Sequence, residues 1–331
     1  MSGGAPRPVL ALDIGGTKLA VAVVTEDGAV HGLQVEPTRR DEGPDVILPR
    51  LFALGARARD AARQEGLPDI GAVGISCGGP LDAPAGVLVH PLHLPGWIDI
   101  PIVAEAERAF HVPAVLENDA TAAALGEYRY GSGVGTATML YLTISTGVGG
   151  GAVINGALHR GAAGNGGEYG HIQVRPGGRR CLCGRDGCLE AYASGTNIAV
   201  RAAEALASGR ESVLRALPEV RAEDVSAAAA EGDPLARELW DDTCALLAAA
   251  ITDLVNILEP DRVVLGGGVT RAGDALLVPV RDAVLRDAMP PAAEAVTVSL
   301  AQLGDVVCVV GAGALALDLQ ASETLPEVLH A

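Results

Sequence analysis

Residues 9–24 read VLALDIGGTKLAVAVV. The aliphatic run Val9 to Asp13 ends in an acid, the turn Gly15-Gly16-Thr17-Lys18 follows, and Leu19 to Thr25 is a second apolar run. Strand, glycine turn and strand together signal a hairpin. Asp27-Gly28 turns the chain again, into a third strand at Ala29 to Val35. The pattern recurs at residues 143–154, TISTGVGGGAVI. There Met139 to Ile144 and Ala152 to Ile154 read as strands around the turn Ser145 to Gly151. The two stretches point to an internal duplication that rests on turn chemistry.

Outward from these stretches, the elements alternate. Val46, Leu51, Leu54, Ala58 and Ala62 recur at helical spacing between Asp45 and Glu65. Ile70 to Ser76 is a strand leading into Cys77-Gly78-Gly79-Pro80, and residues 82–101 read as a loop. A helix near Val103 to Phe110 and a strand at Ala114 to Leu116 precede a helix opened by Asn118. Leu189 to Ala207, Pro234 to Leu258 and Asp274 to about Ala288 read as further helices. Arg262 to Leu265 and Val296 to Leu300 read as strands, and Gly311 to Leu319 opens a last helix. This order is α/β.

Hydrophobic residues make up 49% of the 331 and aromatics only 3%, so Ala, Leu, Val and Ile must fill the core. The length suits one large domain or two ordinary ones. The net charge of −17 argues against nucleic acid or an anionic membrane as the main partner, since both need a basic patch. An anionic ligand then needs a local backbone-amide site. The apolar run before Asp13 is too short for a signal peptide, and no segment is expected to span a membrane. Cys77, Cys244 and Cys308 are scattered among apolar residues like small buried hydrophobes, not like a disulfide framework. A cytoplasmic enzyme is expected.

The most specific signal lies at residues 166–190, GGEYGHIQVRPGGRRCLCGRDGCLE. Cys181, Cys183 and Cys188 with His171 form a sufficient ligand set for a closed tetrahedral Zn²⁺ site, structural rather than hydrolytic; redox thiols are the other reading. Glu168 and Glu190 bracket these ligands. One ring nitrogen of His171 can bind metal while the other faces a substrate hydroxyl. The turn after Asp13 can bind phosphate through bare backbone N–H groups, or it can be an ordinary hairpin turn. Gly147, Gly149 and Ala152 loosely fit a dinucleotide fingerprint, but a strand follows where a helix should open. Asn118-Asp119 suits either a simple helix N-cap or a carboxylate that the helix dipole keeps ionised and able to accept a hydroxyl proton. His31, His90, His93, His111 and His159 receive no role and are expected on the surface or in loops.

Together these motifs resemble the ROK family, which groups bacterial sugar kinases with sugar-responsive repressors. DIGGTK is similar to its first phosphate motif, ENDATAAALGE (from Glu117) to the segment carrying its catalytic aspartate, and STGVGGG to its second phosphate motif. GEYGH and CLCGRDGCLE resemble its sugar-and-zinc signature, and LEPDRVVLGGGV (from Leu258) its nucleotide-side strand and turn. The resemblance implies the two-lobed actin, Hsp70 and sugar-kinase fold, with a cleft between lobes and a structural zinc knot. Residues 1–118 would form a smaller lobe, to which a C-terminal helix 312–330 returns; residues 119–311 would form a larger one carrying the zinc motif.

The resemblance also implies roles. Asp119 would be the general base. Gly78, Gly79, Asn118, Asp119, Glu168, His171 and Glu190 would bind sugar. His171, Cys181, Cys183 and Cys188 would bind zinc. Asp13, Gly15, Gly16, Thr17, Lys18, Thr146 and Gly147 would line the ATP phosphates and Mg²⁺, with Gly267 and Gly268 near adenosine. Thr121 stands where the family often has Asn, and Tyr169 where it often has an aliphatic residue. The implied reaction is ATP-dependent phosphorylation of a hexose, first of all glucose to glucose 6-phosphate. N-acetylglucosamine, N-acetylmannosamine and fructose are alternative acceptors. A polyphosphate donor is disfavoured, because such relatives typically lack the cysteine motif. A sugar-responsive regulator is the reading from another class. About a dozen residues precede the first phosphate motif, too few for its helix-turn-helix domain. A homodimer or dimer of dimers is expected, with hexose and ATP as partners.

Overall fold

The computed structural model describes residues 6–324. The chain forms two compact units. The described part of the first comprises residues 6–134, 160–166 and 305–324; the second comprises residues 135–159 and 167–304.

The first unit opens with β1 (Val9–Ile14), β2 (Lys18–Val24) and β3 (Val30–Pro37). Helix α1 (Pro44–Gln64) and strand β4 (Val73–Cys77) follow. A short hairpin, β5 (Leu81–Asp82) with β6 (Val87–Leu88), interrupts the expected loop. Then come α2 (Ile102–Phe110), β7 (Ala114–Asn118) and α3 (Asp119–Tyr130). The sheet order is β3-β2-β1-β4-β7; β2 lies antiparallel to β1 and β3, while β4 lies parallel to β1 and β7. α1 presents Ile47, Leu51, Leu54 and Ala58, all inaccessible to solvent, to one face of this sheet.

The second unit contains β8 (Met139–Ile144), β9 (Val148–Ile154), β10 (Ala157–His159), α4 (Glu190–Ala193) and α5 (Gly195–Ala207). It continues with α6 (Ala222–Ala230), α7 (Pro234–Leu258), β11 (Arg262–Gly266), α8 (Asp274–Asp287), α9 (Pro290–Ala295) and β12 (Thr297–Leu300). Its sheet order is β10-β9-β8-β11-β12, antiparallel through β10, β9 and β8 and parallel through β8, β11 and β12. This repeats the order and polarity of the first sheet, so the duplication inferred from two glycine turns extends through both sheets.

The last helix, α10 (Val307–Thr324), returns to the first unit and packs on α3, β1 and β4. Small residues let the backbones meet. A Cβ on Gly74 would lie 1.8 Å from the Ala312 carbonyl oxygen, and one on Gly311 would lie 1.9 Å from that of Ala122. Because α3 packs on α10, the first unit extends to Val134 rather than ending at residue 118. The last helix begins before residue 312, and its expected end at 325–330 lies outside the described residues. Contrary to the sequence reading, Gly304–Ser322 is long and apolar enough to cross a membrane by length and composition, with a mean hydropathy of 1.5. Here it is a core helix, with Val309, Ala312 and Ala316 inaccessible to solvent.

Other boundaries differ for local reasons. β9 begins at Val148, so Gly149, Gly150 and Gly151 pair with Thr143, Leu142 and Tyr141 instead of forming the turn. A side chain at Gly150 would strike the Tyr169 ring and the Tyr141 carbonyl. The helix expected from Leu189 to Ala207 is two, because Ser194 is extended (ψ 151°) and caps α5 through its bond from Asn197 N–H. α6 carries only a weak periodic signal in the sequence, because its buried face is mostly alanine.

Candidate active site

In the first unit, the turn between β1 and β2 is closed by Gly15 N–H donating to the Lys18 carbonyl at 3.0 Å. Thr38 braces it, donating its hydroxyl to the Gly15 carbonyl at 2.6 Å. Lys18 extends towards the start of α10, where Nζ donates to the Asp305 carbonyl at 3.1 Å. Asp13, at the end of β1, is buried and accepts a 2.8 Å hydrogen bond from the Ser76 hydroxyl. Burial pushes its carboxyl up to about 7, with the charge of Asp119 adding to the rise; the Ser76 bond and Lys18 oppose it.

β7 delivers Asn118 and Asp119 to the start of α3. Asn118 Oδ1 caps the helix, accepting from Ala120 N–H (3.0 Å) and Thr121 N–H (3.2 Å). Asp119 is therefore the first helical residue rather than the cap, and its Oδ1 accepts from Ala120 N–H at 2.8 Å. Burial holds its carboxyl above the usual range, opposed by the Ala120 N–H and by His93. The helix terminus alone does not set its ionisation. Just upstream, buried Glu117 pairs with Arg160 at 2.6 Å.

His93 is the residue the sequence reading passed over. Leu94 and Trp97, both fully buried, anchor its loop. Its ring covers two turns: a Cβ on Gly78 would lie 2.5 Å from its Cε1, and one on Gly16 would lie 3.1 Å from its Cβ. Nε2 lies 3.4 Å from the Ile14 carbonyl oxygen and 3.9 Å from Cys77 Sγ. Gly79 borders Asn118, whose Nδ2 is 3.9 Å from where a Cβ would stand. The signal that could have revealed His93 was its place beside two core anchors, Leu94 and Trp97.

In the second unit, residues 145–147 form the turn between β8 and β9, closed by Ser145 N–H to the Gly147 carbonyl at 2.8 Å. Gly195, opening α5, donates its N–H to the Ser145 carbonyl at 2.7 Å. After β11, Gly267 takes φ 89°, and a side chain there would meet the Ile144 carbonyl at 2.5 Å. These turns border a cavity of about 960 Å³ whose walls include Ser145, Thr146, Gly195, Val200, Val220 and Gly268. Its apolar wall from α5 and α6 was not anticipated.

The cysteine stretch forms a knuckle in this unit. The ligand atoms of His171, Cys181, Cys183 and Cys188 all lie within 4.8 Å of one another. Cys181 Sγ is 3.6 Å from His171 Nδ1, and the sulfurs of Cys183 and Cys188 are 3.7 Å apart. Four ligands about 2.3 Å from a tetrahedral ion would be separated by about 3.8 Å, so the donor set fits such an ion. The Arg185 N–H pulls the Cys183 thiol below its usual range, favouring the thiolate. His171 Nε2 points the other way, 3.7 Å from the exposed Glu168 carboxylate. Glu190 Oε1 lies 3.9 Å from Cys181 Sγ, and its Oε2 accepts from Val148 N–H at 2.9 Å.

The sequence pattern of the ROK family matches residues 9–319. The chain belongs to the ROK family. A glucokinase of Halalkalibacterium halodurans is 36% identical over 312 residues, 93% of this chain and 94% of that protein. An N-acetylmannosamine kinase of Escherichia coli is 36% identical over 260 residues, 78% of this chain and 82% of that one. The crystal structure of a ROK family glucokinase from Streptomyces griseus, in complex with glucose and AMPPNP, superposes with a TM-score of 0.79. That pair is 33% identical and covers 94% of this chain and 99% of the other. The repeated sheets and the cysteine-histidine knuckle of this chain are thus features of a ROK protein.

Proposed function

We propose that this ROK protein is an ATP-dependent sugar kinase and that its preferred acceptor is glucose, converted to glucose 6-phosphate. The observation that carries the reading is similarity to a glucokinase, 36% identical over 93% of the chain. The site chemistry agrees with it.

Asp119 is the general base. Its Oδ1 is occupied by Ala120 N–H, and Oδ2 takes the proton of the acceptor hydroxyl. The hydroxyl oxygen bonds to the γ-phosphorus as the bridge to ADP breaks. Gly78, Gly79, Asn118, Glu168, His171 and Glu190 are the sugar contacts. Gly15, Gly16, Thr17, Lys18, Thr146 and Gly147 serve the phosphates, and Asp13 is the carboxylate that would hold the Mg²⁺ accompanying ATP. The 960 Å³ cavity beside Gly267 and Gly268 is large enough for a nucleoside.

Zn²⁺ fits the knuckle, and when bound it supplies a structural cross-link rather than a reactive water, because all four positions are protein donors. His171 would bind it through Nδ1, which would hold the ring with Nε2 free for a sugar hydroxyl. Cys181, Cys183 and Cys188 lie together in the knuckle while Cys77, Cys244 and Cys308 are scattered among apolar residues, a usage that supports a reducing compartment, the cytoplasm. A homodimer or dimer of dimers is the expected assembly, to be read by light scattering.

A coupled ADP-release assay across glucose, mannose, fructose and the N-acetylhexosamines tests the reading. Highest kcat/KM on glucose is expected. Highest kcat/KM on N-acetylmannosamine would favour the second reading, which the similar E. coli kinase motivates. No sugar-dependent ADP release would end both.

A further inference from the structure

The Glu190 carboxylate lies between two parts of the second unit. On one side it meets the knuckle, with Cys181 Sγ 3.9 Å from Oε1. On the other it meets the 145–147 turn, where Oε2 accepts the Val148 N–H at 2.9 Å. Val148 is buried, and a buried N–H without a partner is costly. Gly147 leaves space for this contact: a Cβ there would stand 2.6 Å from Oε2, and its backbone is not left-handed. Two further hydrogen bonds reinforce the link. Asn197 Nδ2 donates to the Glu190 carbonyl at 2.9 Å, and Gly195 N–H donates to the Ser145 carbonyl at 2.7 Å.

We propose that Glu190 is a positioning residue for the nucleotide as well as a sugar contact, its carboxylate bracing the phosphate-side turn against the cysteine knuckle. A sugar contact alone would leave nucleotide affinity untouched. A brace makes it depend on Glu190 even with no sugar present. The inference rests on the kinase reading.

The test is the dissociation constant of Mg·AMPPNP, measured calorimetrically without sugar. Glu190→Ala removes the acceptor and is expected to weaken binding about tenfold or more, the value of a hydrogen bond to a charged group. Glu190→Gln keeps a carbonyl for Val148 N–H and is expected to stay within about threefold of wild type. Wild-type affinity in Glu190→Ala, or equal losses in both variants, overturns the proposal. If Glu190→Ala does not fold, Glu190→Asp serves instead: its shorter side chain withdraws the acceptor from Val148 N–H, so Mg·AMPPNP affinity without sugar should again fall about tenfold. Wild-type nucleotide affinity in that variant overturns the brace. Wild-type protein that binds no AMPPNP would instead overturn the kinase reading itself.

Discussion

His171 turns Nδ1 towards the Cys181 sulfur, 3.6 Å away, and so leaves Nε2 on the side of Glu168. One ring is thus placed between the proposed metal site and the proposed sugar site. About one zinc per chain is expected by plasma emission spectroscopy. Chelation should weaken glucose binding about tenfold or more, because the ring loses its orientation. Metal-free protein with full glucose affinity would separate the two roles.

Asp119→Asn should lower kcat by about 10²–10⁴-fold, the usual contribution of a general base. Glucose binding should change little, since Asn keeps an oxygen for Ala120 N–H. Burial holds the carboxyl above its ordinary range, so activity needs pH above that raised value. The acid limb of the pH–rate profile should accordingly lie above the usual carboxylate range. Near-normal turnover of the variant removes Asp119 from the role of base.

Asp13 ties function to stability. Its carboxyl is raised from 3.8 to about 7, so the folded state holds its proton more tightly than the unfolded chain between those values. The associated stability is complete below about 4 and is lost as pH rises through about 7. Asp13→Asn stays neutral at all pH. Without Mg²⁺, its unfolding free energy should exceed that of wild type at pH 8 by on the order of 1–4 kcal/mol, relative to the difference at pH 4. Turnover should be lost. Parallel pH–stability curves for the two proteins would contradict the burial argument.

His93→Ala leaves Gly16 and Gly78 without the ring that covers both. Loosening two turns by a fraction of an ångström should lower kcat about tenfold or more, with KM values changed less than about threefold. Wild-type kcat in this variant returns His93 to an ordinary loop position.

Gly311→Ala puts a methyl against the Ala122 carbonyl, backbone that can yield only by moving α10 from α3. A loss of about 1–3 kcal/mol or more is expected in urea denaturation. An unchanged midpoint would show that the two helices separate easily.

Much of the candidate site was legible because each part is local. DIGGTK needs only a strand end and bare amides, and Cys181, Cys183 and Cys188 lie within one knuckle. What stayed hidden depends on contacts distant in sequence. Ser76 is 63 residues from the Asp13 it bonds. His93 acquires meaning only when its loop lies over Gly16 and Gly78, and nothing in PLHLPGW says where that loop rests. The run Gly149–Gly151 reads as a turn because glycine signals turns, whereas it lies in a strand, where Tyr169 and Tyr141 require glycine at position 150.

The amino-acid sequence by itself determined the α/β alternation, both glycine turns, the helix opened at Asn118 and the ligand set of the knuckle, since hydrophobic period, turn chemistry and capping act over a few residues. Only the tertiary structure decided that both sheets share one strand order, that α10 belongs with α3, and that the Glu190 carboxylate ends against Val148. Those outcomes depend on which backbones come close enough to exclude a side chain and which buried N–H finds an acceptor, conditions that exist only once distant segments have packed.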